Sequence, residues 1–471
     1  MRIRLSILLA LVPSLLFGQV WEKFVAPGIT YRMEVDASVP RIVHAVRFNA
    51  KSPDVKMLAE IGRPFLLADD PLKGRKTVSQ AVTQTGALGG INADFFPFTG
   101  EPLGLLVRNG ELLINPNPIR SVFAWGNGET TFGKASWTAT LQPEGGAPVK
   151  IDAINQECGT SGLVVVTPSA GLATVTSKTQ GVFAVVKSDG GNWTPDCKIS
   201  GEVQVLYEVP SMSVQPGNFM LVGTGAKAQA LKELTPGRKV TVQIQVKGFD
   251  WAKYPNAVGG GPDLLRNGQV SIDGVAQDFS PSAFIDKRHP RSAVGRTADG
   301  DLWFVVVDGR QKMSDGASLK ELADIMAKLG CTDAINLDGG GSSCLNLLGV
   351  ALNRPCEGRE RPVADMILFG GTAPAPEPVN LSIETPTKLQ VGDQVQLSIK
   401  SDKGETVPNV EVLWSAMGAA WIDQGGLLHC FEVGKATIRA EVKGHLIELA
   451  IPVEAKPSCV APAGRDDRKR P

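Results

Sequence analysis

The chain has 471 residues, too many for one compact core, with 43% hydrophobic and 20% charged residues, which argues against wholesale disorder. Lys+Arg and Asp+Glu are both 48, so no net field draws in a polyanion, and nucleic-acid binding is not its main task. The 52 glycines and 32 prolines point to many turns and short strands.

In chain order, Arg2 and Arg4 precede an apolar run over residues 5–17 ending near Gly18. This reads as an export signal covering residues 1–18, too short to span a bilayer comfortably. The expected mature protein starts at Gln19, is secreted, periplasmic or on the cell surface, and is not an integral membrane protein. A helix is predicted over 77–88, with Val78, Ala81, Val82 and Thr85 on one face. A second, carrying Leu319, Leu322, Met326 and Leu329, starts at Ser318 with Glu321 as a capping box and stops at Gly330. Each helix runs into a short apolar strand, 88–94 and 334–338, that ends in polar residues. Further strands are expected at 162–167, 182–186 and 302–307. The fold class expected for residues 19–372 is therefore α+β, a mixed sheet with helices packed on it, including a strand-rich segment at about 152–247. Residues 373–379 are a stiff Pro-rich linker. Over 380–456, short alternating runs with Gly-bearing turns predict an all-β sandwich in which Trp414 is the buried aromatic. The tail 457–471 is charged and predicted to lack fixed structure. Of seven cysteines, Cys158 with Cys197 and Cys344 with Cys356 flank loops they could close, but spacing does not fix connectivity.

The chemistry concentrates in a few segments. Asp308-Gly-Arg310 follows the 302–307 strand, and Asn336-Leu-Asp338 precedes Gly339, Gly340, Gly341, Ser342 and Ser343. Three glycines let a backbone turn sharply and approach a ligand, and their N–H groups suit an anion. His289-Pro-Arg291 supplies an imidazole and a guanidinium. Asn92 and Asp94 stand before Phe95 and Phe96, of which one is expected in the core and Phe96 is taken as the sugar-facing ring. Gly259-Gly-Gly-Pro-Asp263 adds a turn and a further carboxylate.

The ordered set Asn92-x-Asp94-Phe-Phe, Gly259-Gly-Gly-Pro, His289-Pro-Arg291, Asp308-Gly-Arg310, Asn336-x-Asp338-Gly-Gly-Gly-Ser-Ser343 and Arg361-Pro-Val363 resembles the phosphodiester glycosidase family over roughly residues 30–370. Cys344, directly after the serines, departs from that pattern. Likewise Val391-Gly-Asp-Gln-Val395, Val412-Leu-Trp-Ser415 and Gly434-Lys-Ala-Thr-Ile438 resemble bacterial Ig-like repeats. The first resemblance implies a glycosidase that cleaves the C1–O bond of a sugar-1-phosphodiester, releasing free sugar and a phosphate monoester.

That chemistry suits these residue types. A phosphate monoester, with a second pKa of about 6, leaves readily once its charge is neutralised, a task for His289, Arg291, Arg310, Gly339–341, Ser342 and Ser343. An oxocarbenium-like C1 favours a nearby carboxylate. Asp94 and Asp338 are the alternatives for nucleophile or general base, with Asp308 orienting Arg310 or a sugar hydroxyl. Asn92, Phe96, Asp263 and Asn336 are expected to bind substrate. These oxygen ligands would accept calcium, but none has the spacing of a dedicated calcium loop, so the expectation is no metal and no cofactor. The competing reading is a non-catalytic surface protein that binds a cell-envelope polysaccharide.

Overall fold

The computed structural model describes residues 18–456 except 37, 98 and 177–179. Residues 1–17 of the expected export signal 1–18, the tail 457–471 and Cys459 lie outside the described residues. The chain divides into two compact units, Met1–Ala375 and Pro376–Pro471.

The first unit corrects the expected α+β class. The protein is mostly β, with 48% of residues in strands and 9% in helices. Among the described residues there are three short α-helices: α1 (Val78–Thr85), α2 (Gly225–Lys232) and α3 (Leu319–Lys328). The apolar runs are mostly two to nine residues long and closed by Gly or Asn turns, a spacing that makes hairpins rather than helix crossovers. The two helices with a clear 3.6-residue stripe form where the sequence places them. Thr77 caps α1 with Gln80 as its reciprocal partner, and Gly86, at φ +68°, ends it. Ser318 and Glu321 cap α3, and Gly330, at φ +85°, follows its end.

One eight-stranded antiparallel sheet carries, in spatial order, Gln19–Ala26, Ile29–Asp36, Arg41–Phe48, Leu302–Val307, Arg291–Thr297, Cys331–Leu337, Asp263–Arg266 and Gln269–Val270. Leu319, Leu322, Ala323 and Met326 of α3 pack on it against Val305, Val307 and Ala334. A five-stranded sheet holds Val350–Ala351, Leu345–Leu347, Gly89–Asn92, Asp365–Gly370 and Lys56–Ile61. The strand-rich segment lies in a second eight-stranded sheet that begins at Ser136–Pro143 and ends at Lys239–Lys247, over a core that includes Leu141, Phe219 and Val242.

Register explains why chemistry gathers at one end of the first sheet. Arg291 pairs with Val307 and Ser292 with Leu337. Arg291, Asp308 and Asp338 therefore leave adjacent strands at the same edge. The five-stranded sheet reaches this edge through backbone bonds, Asp338 N to Ala93 O at 2.9 Å and Ala93 N to Asp365 O at 3.2 Å.

The second unit holds sheets of three, four and three strands around a completely buried Trp414, packed with Leu389, Leu397, Ile438 and Val453. All six described cysteines are free thiols, so neither loop-closing pair is bonded. Cys158 is buried beside Thr224 Oγ1, and Cys344 beside Glu360.

Candidate functional site

At the shared edge lies a cavity of about 410 Å³, lined by Phe95, Ala283, Phe284, His289, Pro290, Arg291, Arg310, Asp338, Gly339, Gly340, Gly341 and Arg361. Asp338 is the carboxylate that faces it. Loss of water contact pushes Asp338 up to about 6, while the Ser342 hydroxyl, Arg361 and the Gly339 N–H pull the other way. Behind it, Asp94 is buried. Its two oxygens accept from Phe95 N at 2.8 Å and Gly104 N at 2.6 Å, yet burial and the nearby Asp338 carry it to about 7. A Cβ on Gly104 or Gly259 would stand 2.6 or 2.3 Å from Asp94 Oδ2, which gives the Gly259 motif its physical reason.

A third carboxyl, Asp365, was not singled out in the sequence. It opens the wholly buried strand Asp365–Gly370, and its Oδ1 accepts the Asp94 N–H at 2.9 Å. Its Oδ2 is buried without a hydrogen-bond partner. Burial, then the charges of Asp94 and Asp338, push its pKa well above the ordinary carboxyl range. The visible signal was a lone carboxylate at the head of an otherwise apolar strand.

Two guanidiniums frame the glycine turn. Arg310, in the left-handed region at φ +58°, brings its guanidinium within 3.3 Å of the place a Cβ on Gly340 would occupy. Arg361 donates to Ser342 Oγ at 3.3 Å and pairs with Glu357. A Cβ on Gly341 would fall 2.3 Å from Arg361 Nη2. Glycine at both positions thus admits the cations to the backbone of the turn. The sequence marks Arg361 as part of a motif without assigning it to the site.

Other expected site residues serve differently. Arg291 lines the cavity but is otherwise buried. Its Nε donates to Ala317 O at 2.8 Å and its Nη2 to Lys287 O at 3.0 Å and to Phe284 O, with the Phe284 ring 4.7 Å away. Burial and Arg310 lower its pKa to about 10, which still leaves it cationic. His289, expected to grip phosphate as a cation, has both ring nitrogens engaged by protein, Nδ1 by Arg310 and Nε2 by Ala283 O. Asp308 does not line the cavity. Its Oδ1 accepts from Arg354 N at 2.9 Å, and its Oδ2 lies 3.4 Å from His44 Nε2, whose Nδ1 meets the Tyr31 hydroxyl.

Asp263 points away into a pair with Arg266 and a bond from Ser121 Oγ. Asn336 donates to Gly261 O and Leu337 O, 2.8 and 2.6 Å away. Asn92 knits the motifs together: Nδ2 donates to Asp338 O at 2.7 Å, and Oδ1 accepts from Ser292 Oγ and Cys344 N. Ser342 and Ser343 are buried, and Ser343 Oγ lies 3.1 Å from Ser292 Oγ. The aromatic expectation is exchanged: Phe95 lines the cavity beside Phe284, while Phe96 lies under Arg75. Arg120, also missed, places its guanidinium 3.9 Å from the Phe279 centroid and 5.5 Å from that of Phe95. Its charge acts on Asp94. Among the described residues, no group of three or more His, Cys, Asp and Glu side chains is arranged to hold a metal ion.

Residues 181–370 match the family model described as phosphodiester glycosidase. The chain carries a domain of the phosphodiester glycosidase family. Five of the six motifs fall within the matched segment, and only Asn92–Phe96 lies before it. The N-acetylglucosamine-1-phosphodiester alpha-N-acetylglucosaminidase of Mus musculus is 32% identical over 102 residues, 20% of this chain and 20% of that protein. The chain spans a fifth or less of the length of the curated relatives it matches, 13% and 20% for the first two. A crystal structure of a hypothetical protein from Synechocystis is similar at a TM-score of 0.64 and 25% identity, covering 74% of this chain and 63% of the other. A Burkholderia pseudomallei protein described as exported shares the fold at a TM-score of 0.58 and 24% identity, covering 70% of this chain and 74% of the other. Among the described residues, no helix is long and apolar enough to cross a membrane.

Proposed function

We propose that this chain is an exported hydrolase that adds water across the C1–O bond of a sugar-1-phosphodiester, releasing free sugar and a phosphate monoester. The observation that carries the reading is a cavity lined together by Asp338, Arg310, Arg361 and Gly339–341. The phosphodiester's charged oxygens sit between these two cations, with Arg291 behind. The sugar's apolar face lies on Phe95 and Phe284, and Asp338 meets C1 as nucleophile or as base for the attacking water. As C1–O breaks, the electron pair goes to the phosphate oxygen, where the arginines receive the added charge. The name of the mouse relative suggests N-acetylglucosamine as the first sugar to offer. Export is supported by the basic start and apolar run of the N-terminus and by the description of the Burkholderia protein.

The deciding experiment offers an N-acetylglucosamine-1-phosphodiester and identifies products. Free sugar with a phosphate monoester supports C1–O cleavage. Sugar-1-phosphate would mean P–O cleavage, and binding without turnover would favour the polysaccharide-binding reading. We read the C-terminal unit as an Ig-like spacer outside the chemistry. Every residue of the cavity precedes Ala375, so a chain ending there is expected to keep kcat and KM for a soluble substrate within about twofold, the scale of a change that removes no transition-state contact. Steady-state kinetics of the truncated chain test this, and a large loss would give the C-terminal unit a part in shaping the cleft.

A further inference from the structure

We infer that His289 is a positioning residue, a neutral hydrogen-bond relay that ties Arg310 to the short helical segment Pro281–Ile285, which also lines the cavity. This rests on the phosphodiester reading of the same site and adds a residue that acts through Arg310 rather than on substrate. Arg310 Nη2 lies 3.0 Å from His289 Nδ1. A guanidinium only donates, so Nδ1 must accept. The ring proton is then on Nε2, which lies 2.9 Å from Ala283 O, a group that only accepts. Both nitrogens are committed and the tautomer is fixed, which leaves neither a lone pair nor an N–H for the ligand.

Burial, then the charges of Arg291, Arg310 and Lys287, hold the imidazole below its ordinary pKa and so oppose a second ring proton, which would face the Arg310 donor. Ala283 and Phe284 line the cavity, so the relay links a lining cation to the segment that carries a lining aromatic ring.

The backbone at this point does not depend on the ring. His289 N donates to Ala317 O at 3.2 Å and Ala317 N to His289 O at 3.0 Å. Gly309 and Gly316 pass so close that a Cβ on either would stand 3.0 or 2.5 Å from the His289 carbonyl carbon. Replacing the ring therefore leaves the strand in register, and the relay can be tested apart from folding.

His289→Asn keeps an acceptor near the place of Nδ1, whereas His289→Gln keeps a donor near the place of Nε2 and loses the acceptor facing Arg310. With an N-acetylglucosamine-1-phosphodiester as substrate, His289→Gln is expected to raise KM roughly tenfold while kcat falls less than about threefold. Its affinity for inorganic phosphate, measured by calorimetry, should weaken by a similar factor. His289→Asn should keep both quantities within about threefold of the parent. Equal shifts in the two variants would overturn the relay. So would a fall in kcat of about 10² in both, because that is the signature of proton chemistry by the ring. A parent enzyme that binds phosphate with the Asn/Gln asymmetry but hydrolyses no phosphodiester would leave the relay standing and remove the proposed function. Absence of phosphate binding by the parent would remove both.

Discussion

Replacing Asp338 with Asn is expected to lower kcat by at least ~10²-fold, the scale of losing a positioned base or nucleophile, while the fold is kept. Asn fills the same volume but neither takes a proton nor attacks C1. The parent enzyme's kcat/KM should rise with pH through a midpoint near 6, as Asp338 ionises, and the residual rate of the variant should lack that limb. A stability measurement separates lost chemistry from lost structure. The folded protein holds the Asp338 proton with a pKa of about 6, against an ordinary 3.8. The folded form thus binds this proton more tightly than the unfolded chain, so stability from the group is complete in acid and is lost as pH rises through about 6. Asn has no proton to lose. The variant should therefore melt higher than the parent near ~pH 8, with the gap closing towards ~pH 4. A variant with near-normal kcat would remove Asp338 from the chemistry, and one that melts lower at every pH would make its role structural.

The sequence shows which segments meet at one edge of the molecule more reliably than which way each side chain turns there. The segments carrying Asp94, His289, Arg310 and Asp338 end together because antiparallel register aligns their strands, and strand ends are legible as apolar runs closed by polar residues. Which way a side chain turns at such an end is a period-two question, and one step of backbone reverses it. That is why Phe95 rather than Phe96 faces the cavity, and why Asp308 and Asp263 turn to Arg354 and Arg266 instead of a ligand. Motif membership marks Asn92 and Asn336 but does not separate ligand contacts from groups that bind the motifs to each other. Arg120 and Asp365 stand in no motif, and only folding brings their charges beside Asp94. The fold class failed for a related reason. The capped, periodic helices α1 and α3 were readable one by one, but their shortness beside so many hairpin-length runs leaves a β-rich domain rather than a helix-covered sheet.

Arg310→Ala is expected to lower kcat/KM by about 10²-fold, the usual scale for removing one donor aimed at developing charge. Its loss should exceed that of Arg361→Ala. Arg361 already pairs with Glu357, so part of its charge is neutralised before a ligand arrives. Arg310 makes no close ion pair among the described residues: it meets the His289 ring and Cys356 Sγ, and Glu357 acts on it only at longer range. An entering phosphate therefore gains more from Arg310. Its place is also tightly set. Ser314 Oγ donates to Asp308 O at 2.6 Å, Asp308 Oδ1 accepts from Arg354 N, and Gln311 and Arg354 exchange bonds of 2.6 and 2.7 Å. This bracing holds the loop that carries Arg310 in its left-handed conformation. Because the loop cannot shift to compensate, Arg310→Lys should recover little: an ammonium lacks the planar fork that bonds His289 and two phosphate oxygens at once. Arg310 is exposed and at a loop tip, so the alanine variant should melt within a degree or two of the parent, in keeping with surface substitutions of about 0.5 kcal/mol or less. Steady-state kinetics, with inorganic phosphate as competitor, measure the loss directly. A kcat/KM for Arg310→Ala within about threefold of the parent would mean that the phosphate lies elsewhere in the cavity, because a removed transition-state cation cannot leave the barrier unchanged.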